Sequence, residues 1–342
     1  RKMPKLNSSN PEERAYFMEV CRYWIREFKV DGWRLDVAAD LGHSQEYNHL
    51  FWKKFRNVVK EANPEALILA EHYGDPKDWL QGDQWDSVMN YDAFMEPMTW
   101  FLTGMEKHSD EYKDYMLGNI ENYENTMTHY MASFATSSLQ CAMNQLSNHD
   151  HSRFLTRTNH KVGRAANLGT QAASEGVNKG IMKEAVVIQM TWPGAPTLYY
   201  GDEAGLCGWT DPDNRRTYPW GREDQNLIQY HRDIIAIHKE EEALMKGSLK
   251  YLYGGFKVLG YGRFTDTEKM VVLINSGFDE ARVKVSVWEV GVTDDEEMVE
   301  VIMSNEEGYT MEKKVHPVTS GVLDITLPRV SAILLKAVEI EK

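Results

Sequence analysis

The chain has 342 residues, 42% of them hydrophobic and 26% charged, with a formal net charge of −14 and a mean hydropathy of −0.53. That length gives room for two domains at about 150 residues each, and the acidic balance argues against nucleic acid or anionic membrane as partners. No apolar run of about 18 residues is present, so no membrane-spanning helix is expected, and Cys21, Cys141 and Cys207 lack metal-ligand spacing and are expected as buried free thiols.

Taken in order, the chain first offers Ser9 or Asn10 as a helix cap, followed by Pro11, with Glu12 and Glu13 at the positive end of the dipole. Phe17, Val20, Trp24 and Phe28 recur at helical spacing, so residues 11–28 are expected to form an amphipathic helix. Residues 30–36 read as a short buried strand that stops at Asp36, with Val30, Trp33, Leu35 and Val37 as its apolar, β-favouring surface. Arg34 and Asp36 share one face by the two-residue period, where a guanidinium would keep the carboxylate ionised and oriented. A helix at roughly 46–62 is expected to turn Leu50, Phe51, Phe55, Val58 and Val59 toward a core. Residues 66–70 are continuously apolar, the pattern of a strand buried on both faces, and end at Glu71.

Further on, 87–91 reads as a short strand and 93–139 as helical pattern broken near Gly104 and Gly118. A strand at 143–147 stops at Asn148-His149-Asp150, a helix covers 180–191, a strand at 196–200 runs into Gly201-Asp202-Glu203, and a last helix spans 223–241. Alternating strands and helices argue for a parallel sheet or barrel. The grammar changes after Gly247, where 257–263, 269–275, 281–287, 298–303 and 329–337 are rich in Val, Ile and Tyr between turn residues. The expected domains are therefore an α/β domain, a parallel sheet or barrel, over 1–246 and an antiparallel β domain over 247–342.

Three strand ends deliver Asp36, Glu71 and His149-Asp150. In a (β/α)8 barrel the strand C-termini open on one face, where catalytic groups sit. A single acid at a strand end is commonly structural; three with Arg and His beside them form the set that cleavage of a glycosidic bond requires. Asp36 beside Arg34 suits a carboxylate nucleophile, and Glu71, at the end of an apolar run, suits a general acid/base.

These residues resemble glycoside hydrolase family 13, the α-amylase family. Gly32-Trp33-Arg34-Leu35-Asp36 is similar to its nucleophile segment, Ala70-Glu71 to its acid/base segment, Asn148-His149-Asp150 to the segment of its third acid, and Tyr199-Tyr200-Gly201-Asp202-Glu203 to the exit of its eighth strand. The resemblance implies a TIM-barrel portion (about strands 4–8) followed by an antiparallel β-sandwich. It implies Asp36 as nucleophile, Glu71 as acid/base, Asp150 as stabiliser of the distorted sugar, and Arg34 and His149 as sugar contacts. Met3-Pro4-Lys5-Leu6-Asn7, Trp79-Leu80-Gln81-Gly82-Asp83-Gln84 and Asp211-Pro212-Asp213-Asn214-Arg215 resemble segments of the neopullulanase, cyclomaltodextrinase and maltogenic amylase group. That likeness carries a glycone-side role to Asp211 and Arg215. Trp209 and Tyr73 are candidates either for stacking on glucose or for packing, and His72 and His43 for subsite contacts.

The family barrel starts before Arg1, so the expectation is a portion of a longer enzyme, completed by a missing N-terminal segment or by a second copy. The implied reaction is retaining hydrolysis of α-1,4, or α-1,6, glucosidic bonds in maltodextrins, cyclodextrins or pullulan. The alternatives are a transglycosylase on the same fold and a non-catalytic α-glucan-binding or scaffold fragment. No cofactor is required by this chemistry; a Ca²⁺ site is left open. No signal-peptide pattern precedes the first helix, and a cytoplasmic location is expected, with secretion left open.

Overall fold

The computed structural model describes residues 5–42 and 44–340. Met3, Pro4 and His43 lie outside the described residues. In chain order the elements are α1 (Pro11–Phe28), β1 (Gly32–Leu35), α2 (Gln45–Ala62), β2 (Leu67–Ala70), β3 (Ser87–Val88), α3 (Glu96–Thr103), α4 (Ile120–Met131), α5 (Thr136–Gln140) and β4 (Met143–Gln145). They continue with α6 (Phe154–Arg157), α7 (Ala165–Leu168), α8 (Lys179–Thr191), β5 (Ala195–Thr197), α9 (Gln225–Glu240) and α10 (Glu242–Lys246). The remaining strands are β6 (Ser248–Gly255), β7 (Val258–Phe264), β8 (Lys269–Asn275), β9 (Ala281–Val285), β10 (Glu296–Ser304), β11 (Tyr309–Thr310), β12 (Val315–Thr319), β13 (Val322–Leu327) and β14 (Ser331–Glu339). Two compact units result, one from Arg1–Ala93 with Thr128–Met143, the other from Phe94–Met127 with Asn144–Lys342.

In the first unit β1, β2 and β3 form a parallel sheet in that order. The register sets Gly32 opposite Leu67 and Leu35 opposite Ala70, then Ala70 opposite Val88. Ile68 and Ala70 are buried beneath α2, whose Phe51, Phe55 and Val59 form the facing stripe. Gly32 is needed at the strand entry: its φ is +156, and a Cβ there would lie 2.2 Å from the carbonyl oxygen of Leu67. Asp86 pins the opposite end of β2. It accepts the Ile68 amide at 2.9 Å and pairs with Arg56 at 2.8 Å and Lys60 at 2.9 Å, both on α2.

The helix α1 starts where expected, with Asn10 accepting from the Glu12 and Glu13 amides. Its buried stripe differs from the expectation by one residue. Met18 and Ile25 turn inward, with Cys21 half-buried between them, while Phe17, Trp24 and Phe28 are exposed. The exposed rings pack on one another instead, Trp24 against Phe28 at 4.7 Å and Tyr23 against Phe28 at 5.7 Å between centroids. Leu50, expected in the core, is also exposed, because the α2 stripe is set by Phe51 and Phe55. Cys207 is buried as expected, but Cys141, following the short α5, is exposed.

In the second unit α8 is buried along nearly its whole length, as an apolar helix with no polar face must be. The strands after Gly247 are antiparallel in the order β6-β7-β8-β14-β10-β12-β13-β9, with β11 added on β10. Their alternating residues Val271, Leu273, Val283, Val285, Leu323, Ile325, Ile333 and Leu335 form one core. Four of these strands, β6, β11, β12 and β13, are absent from the sequence reading.

Candidate functional site

The parallel register of β1 and β2 builds the first group of side chains. Leu35 and Ala70 are opposite, so the residues that follow them, Asp36 and Glu71, emerge side by side; the Glu71 amide donates to the Leu35 carbonyl at 2.9 Å. Arg34 spans both carboxylates, with Nη1 at 2.6 Å from Asp36 Oδ1 and Nη2 at 3.4 Å from Glu71 Oε2. Its other face rests on Met89 Sδ, at 3.3 Å from Nε and 3.2 Å from Nη2. The two acids have opposite surroundings. The Asp36 side chain is 81% exposed and that of Glu71 only 10%. An exposed carboxylate can attack, while a buried one, dry and held, can pass a proton.

Beside this group Tyr73 stacks on Tyr91 with centroids 4.3 Å apart, and Asp92 accepts the Gly74 amide at 2.7 Å. Burial lowers the His72 imidazole below its ordinary range, against the pull of Asp92 and Asp75. The Trp79–Gln84 segment does structural work here. Trp79 is stacked on Trp85 at 4.6 Å and on His49 at 3.9 Å, and His49 Nδ1 lies 2.7 Å from Gln84 Oε1. An apolar hollow of about 490 Å³ lies behind Asp36, lined among others by Phe17, Leu35, Phe51 and Phe55.

The second unit gathers the other predicted residues. After β4 the Asn148 side chain accepts the Asp150 and His151 amides at 2.9 and 3.1 Å, fixing a tight turn. His149 Nε2 lies 3.5 Å from Asp150 Oδ2. The 210–215 loop is laid against this turn. Thr210 donates to the Asp150 carbonyl at 2.5 Å, Asn214 to the Asn148 and His151 carbonyls at 3.0 and 2.7 Å, and Arg215 to the His149 carbonyl at 3.0 Å. Arg215 also pairs with Asp211 at 2.7 Å and approaches Asp150 at 3.8 Å. Asp150, His149, Asp211 and Arg215 thus form one polar cluster. Trp209 is buried, with its indole donating to the Gly169 carbonyl at 3.0 Å, and so is a packing residue.

Arg153, fully buried, holds the cluster from behind. It donates to the Asn214 and Tyr200 carbonyls at 2.9 and 2.8 Å, pairs with Asp202 at 2.8 Å, and lies 4.3 Å from the Tyr199 ring. Burial raises the Asp202 carboxyl, with Arg153 pulling it back, and pushes the Tyr199 hydroxyl up to about 12. His151, buried and facing His108, Arg157, Lys107 and His149, falls to about 2. Sequence reasoning missed Arg153, Thr210 and Met89 as parts of these groups, and gave Asn214 no role of its own within the 211–215 segment. Arg153 acts on Asp202 and on loop carbonyls far from it in the chain, and Met89 acts through its sulfur, so neither offered a signal. Among the described residues no three His, Cys, Asp or Glu side chains are grouped to hold a metal, and no helix is long and apolar enough to cross a membrane.

Comparison with known proteins gives these geometries a family. The alpha amylase catalytic domain matches residues 1–250. A cyclomaltodextrinase of Thermoanaerobacter pseudethanolicus is 36% identical over 277 residues, covering 80% of this chain and 42% of that protein. Neopullulanase 2 of Thermoactinomyces vulgaris is 34% identical over 293 residues, 84% of this chain and 44% of that protein. The chain therefore spans less than half the length of these curated relatives. Among solved structures, a debranching enzyme from Nostoc punctiforme is similar with a TM-score of 0.77 and 30% identity, over 96% of this chain and 62% of that one. A cyclomaltodextrinase has a TM-score of 0.77 at 27% identity, over 98% of this chain and 50% of that one. The fold class is the expected one, part of a (β/α)8 barrel followed by an antiparallel β domain, with likeness to the neopullulanase and cyclomaltodextrinase group. With the catalytic-domain match spanning most of its length, the chain belongs to the α-amylase family.

Proposed function

We propose that the chain carries the nucleophile and the acid/base of a retaining α-glucan hydrolase acting on maltodextrins, cyclodextrins or pullulan. Asp36 attacks the anomeric carbon while Glu71 protonates the departing glycosidic oxygen, giving a covalent glucosyl-enzyme. Glu71, now ionised, takes a proton from the water that releases the sugar. Asp150 holds the distorted ring, Arg34 and His149 contact its hydroxyls, and Asp211 and Arg215 serve the glycone side. The two carboxylates supply nucleophile, acid and base, so the reaction as proposed needs no cofactor.

One observation carries this reading. Adjacent parallel strands present an exposed and a buried carboxylate, both within reach of one guanidinium. Relatives named cyclomaltodextrinase and neopullulanase support the substrate class. A relative of Bacillus subtilis named intracellular maltogenic amylase supports a cytoplasmic location. The test is release of glucose or maltose from β-cyclodextrin, pullulan and maltotriose by the chain and by its Asp36→Asn variant. Each is assayed alone and with a relative's remaining barrel segment supplied in trans. Release that the variant abolishes supports the reading. Binding of these glucans without release under either condition favours the scaffold alternative and overturns it.

A further inference from the structure

The turn after β1 contains a backbone outlier that the roles above leave unexplained. Val37, expected from the sequence to belong to the apolar β surface, lies past the end of β1 with φ +42, a left-handed conformation that β-branched residues strongly disfavour and that Gly or Asn ordinarily occupies. Its side chain is 55% exposed, so packing of the isopropyl group does not account for the choice. The surrounding contacts enforce it. The buried Trp52 indole donates to the Ala38 carbonyl at 2.6 Å, Asn48 donates to the Ala39 carbonyl at 3.0 Å, and the Asp40 amide returns to the Val37 carbonyl at 3.0 Å. What the strained residue delivers is its own amide, which donates to Glu71 Oε2 at 2.9 Å. Strain held by neighbours at a site of this kind commonly serves preorganisation.

We infer that Val37 is a positioning residue whose backbone N–H reserves Oε2 of Glu71 as an acceptor, so that the proton delivered to the leaving group is carried on Oε1. Arg34 Nη2 faces the same Oε2 at 3.4 Å, so the Val37 amide and the guanidinium converge on one oxygen. A proton placed on Oε2 would be set against two N–H groups, whereas Oε1 can carry it without that conflict. In the transfer the Oε1–H bond breaks, the proton joins the glycosidic oxygen, and the C–O electron pair leaves with that oxygen. The charged and titratable groups facing Glu71 within this unit are Arg34 and, across it, Asp36; His72 adjoins it in sequence, with Asp92 beyond. The inference rests on Glu71 being the acid/base, but its test does not require turnover.

The full chain is labelled with ¹⁵N at valine, and the Val37 amide proton is followed through the carboxyl titration range. Because Asp36 immediately precedes Val37, the decisive comparison is made in the Asp36→Asn background, where the amide is expected to keep shifting with a single midpoint and to lose that shift when Glu71→Gln is added. A Val37→Gly chain labelled at glycine is expected to retain the titrating amide, because glycine adopts the left-handed backbone freely. An amide that stays fixed in that background, or one that titrates unchanged when Glu71→Gln is added, overturns the inference. Either result leaves the hydrolase reading to its own assay, and an inactive chain with a titrating Val37 amide leaves the inference standing.

Discussion

Asp86→Asn isolates the anchor that holds β2, and with it Glu71, in register. Asp86 accepts the Ile68 amide and pairs with Arg56 and Lys60, its side chain only 20% exposed. Hydrogen bonds to charged groups are worth about 1.5–3 kcal/mol each. Asparagine keeps one carbonyl oxygen for the Ile68 amide but removes the charge facing both cations. Arg56 still donates to the Gln84 carbonyl at 3.1 Å and Lys60 to the Ala66 carbonyl at 2.8 Å, so neither cation is stranded. The expected loss is therefore about 2–3 kcal/mol rather than the sum of two full pairs. Native-state hydrogen exchange of the Ile68, Leu69 and Ala70 amides reads it locally and does not assume that the two units unfold together.

The pH dependence has a definite sign. Burial pushes the Asp86 carboxyl up, but the hydrogen bonds from Lys60, Arg56 and the Ile68 amide outweigh it, leaving the group below its ordinary value. Its contribution is then present in full above the ordinary carboxyl range and is lost as pH falls through the lowered value. The gap between wild type and variant should narrow in acid. A loss under about 0.5 kcal/mol at neutral pH, or an equal loss in the β8 amides of the other unit, would refute the anchor.

Other expectations concern single buried or bridging groups. Glu184 is buried with neither carboxylate oxygen hydrogen-bonded, and burial, with the Glu306 charge, raises it well above its ordinary value. The folded state then binds that proton more tightly than the unfolded chain, so stability falls as pH rises above the ordinary range. Urea unfolding of Glu184→Gln should gain on wild type by about 1.4 kcal/mol per pH unit there; parallel profiles would contradict this. Arg153→Met leaves Asp202 buried without its ion-pair partner, held only by its Ser147 hydrogen bond, and should cost about 3 kcal/mol in the same assay, with a cost under about 1 kcal/mol counting against the clamp. Arg34→Met should lower turnover of β-cyclodextrin about 100-fold, and full turnover would show that the guanidinium bridge is dispensable.

The sequence carried the parallel strands well, because 66–70 is continuously apolar and stops at an acid, and the Arg34–Asp36 alternation fixes one face. The capping of α1 was equally legible from Asn10 and Pro11. The inward face of α1 was not, since Phe17, Trp24 and Phe28 are apolar enough to imitate the buried stripe that Met18 and Ile25 form. In the β domain Pro317 obscured β12, where it sits opposite Glu297. The period-two pattern of β13, with Leu323, Ile325 and Leu327 inward, was present in the sequence and overlooked. Carboxylates could be nominated from strand ends, but their unequal exposure depends on the turn after β1, and a left-handed valine has no sequence signature.

Asp36 as nucleophile is tested by finding where a glucosyl group becomes attached. The chain, completed in trans if required, is incubated with 5-fluoro-α-glucosyl fluoride, digested, and its peptides are weighed by mass spectrometry. One added fluoroglucosyl group is expected, carried by Asp36 and lost in Asp36→Asn. Attachment to a different carboxylate, or turnover of the reagent to a β-configured product with no adduct, would contradict that role.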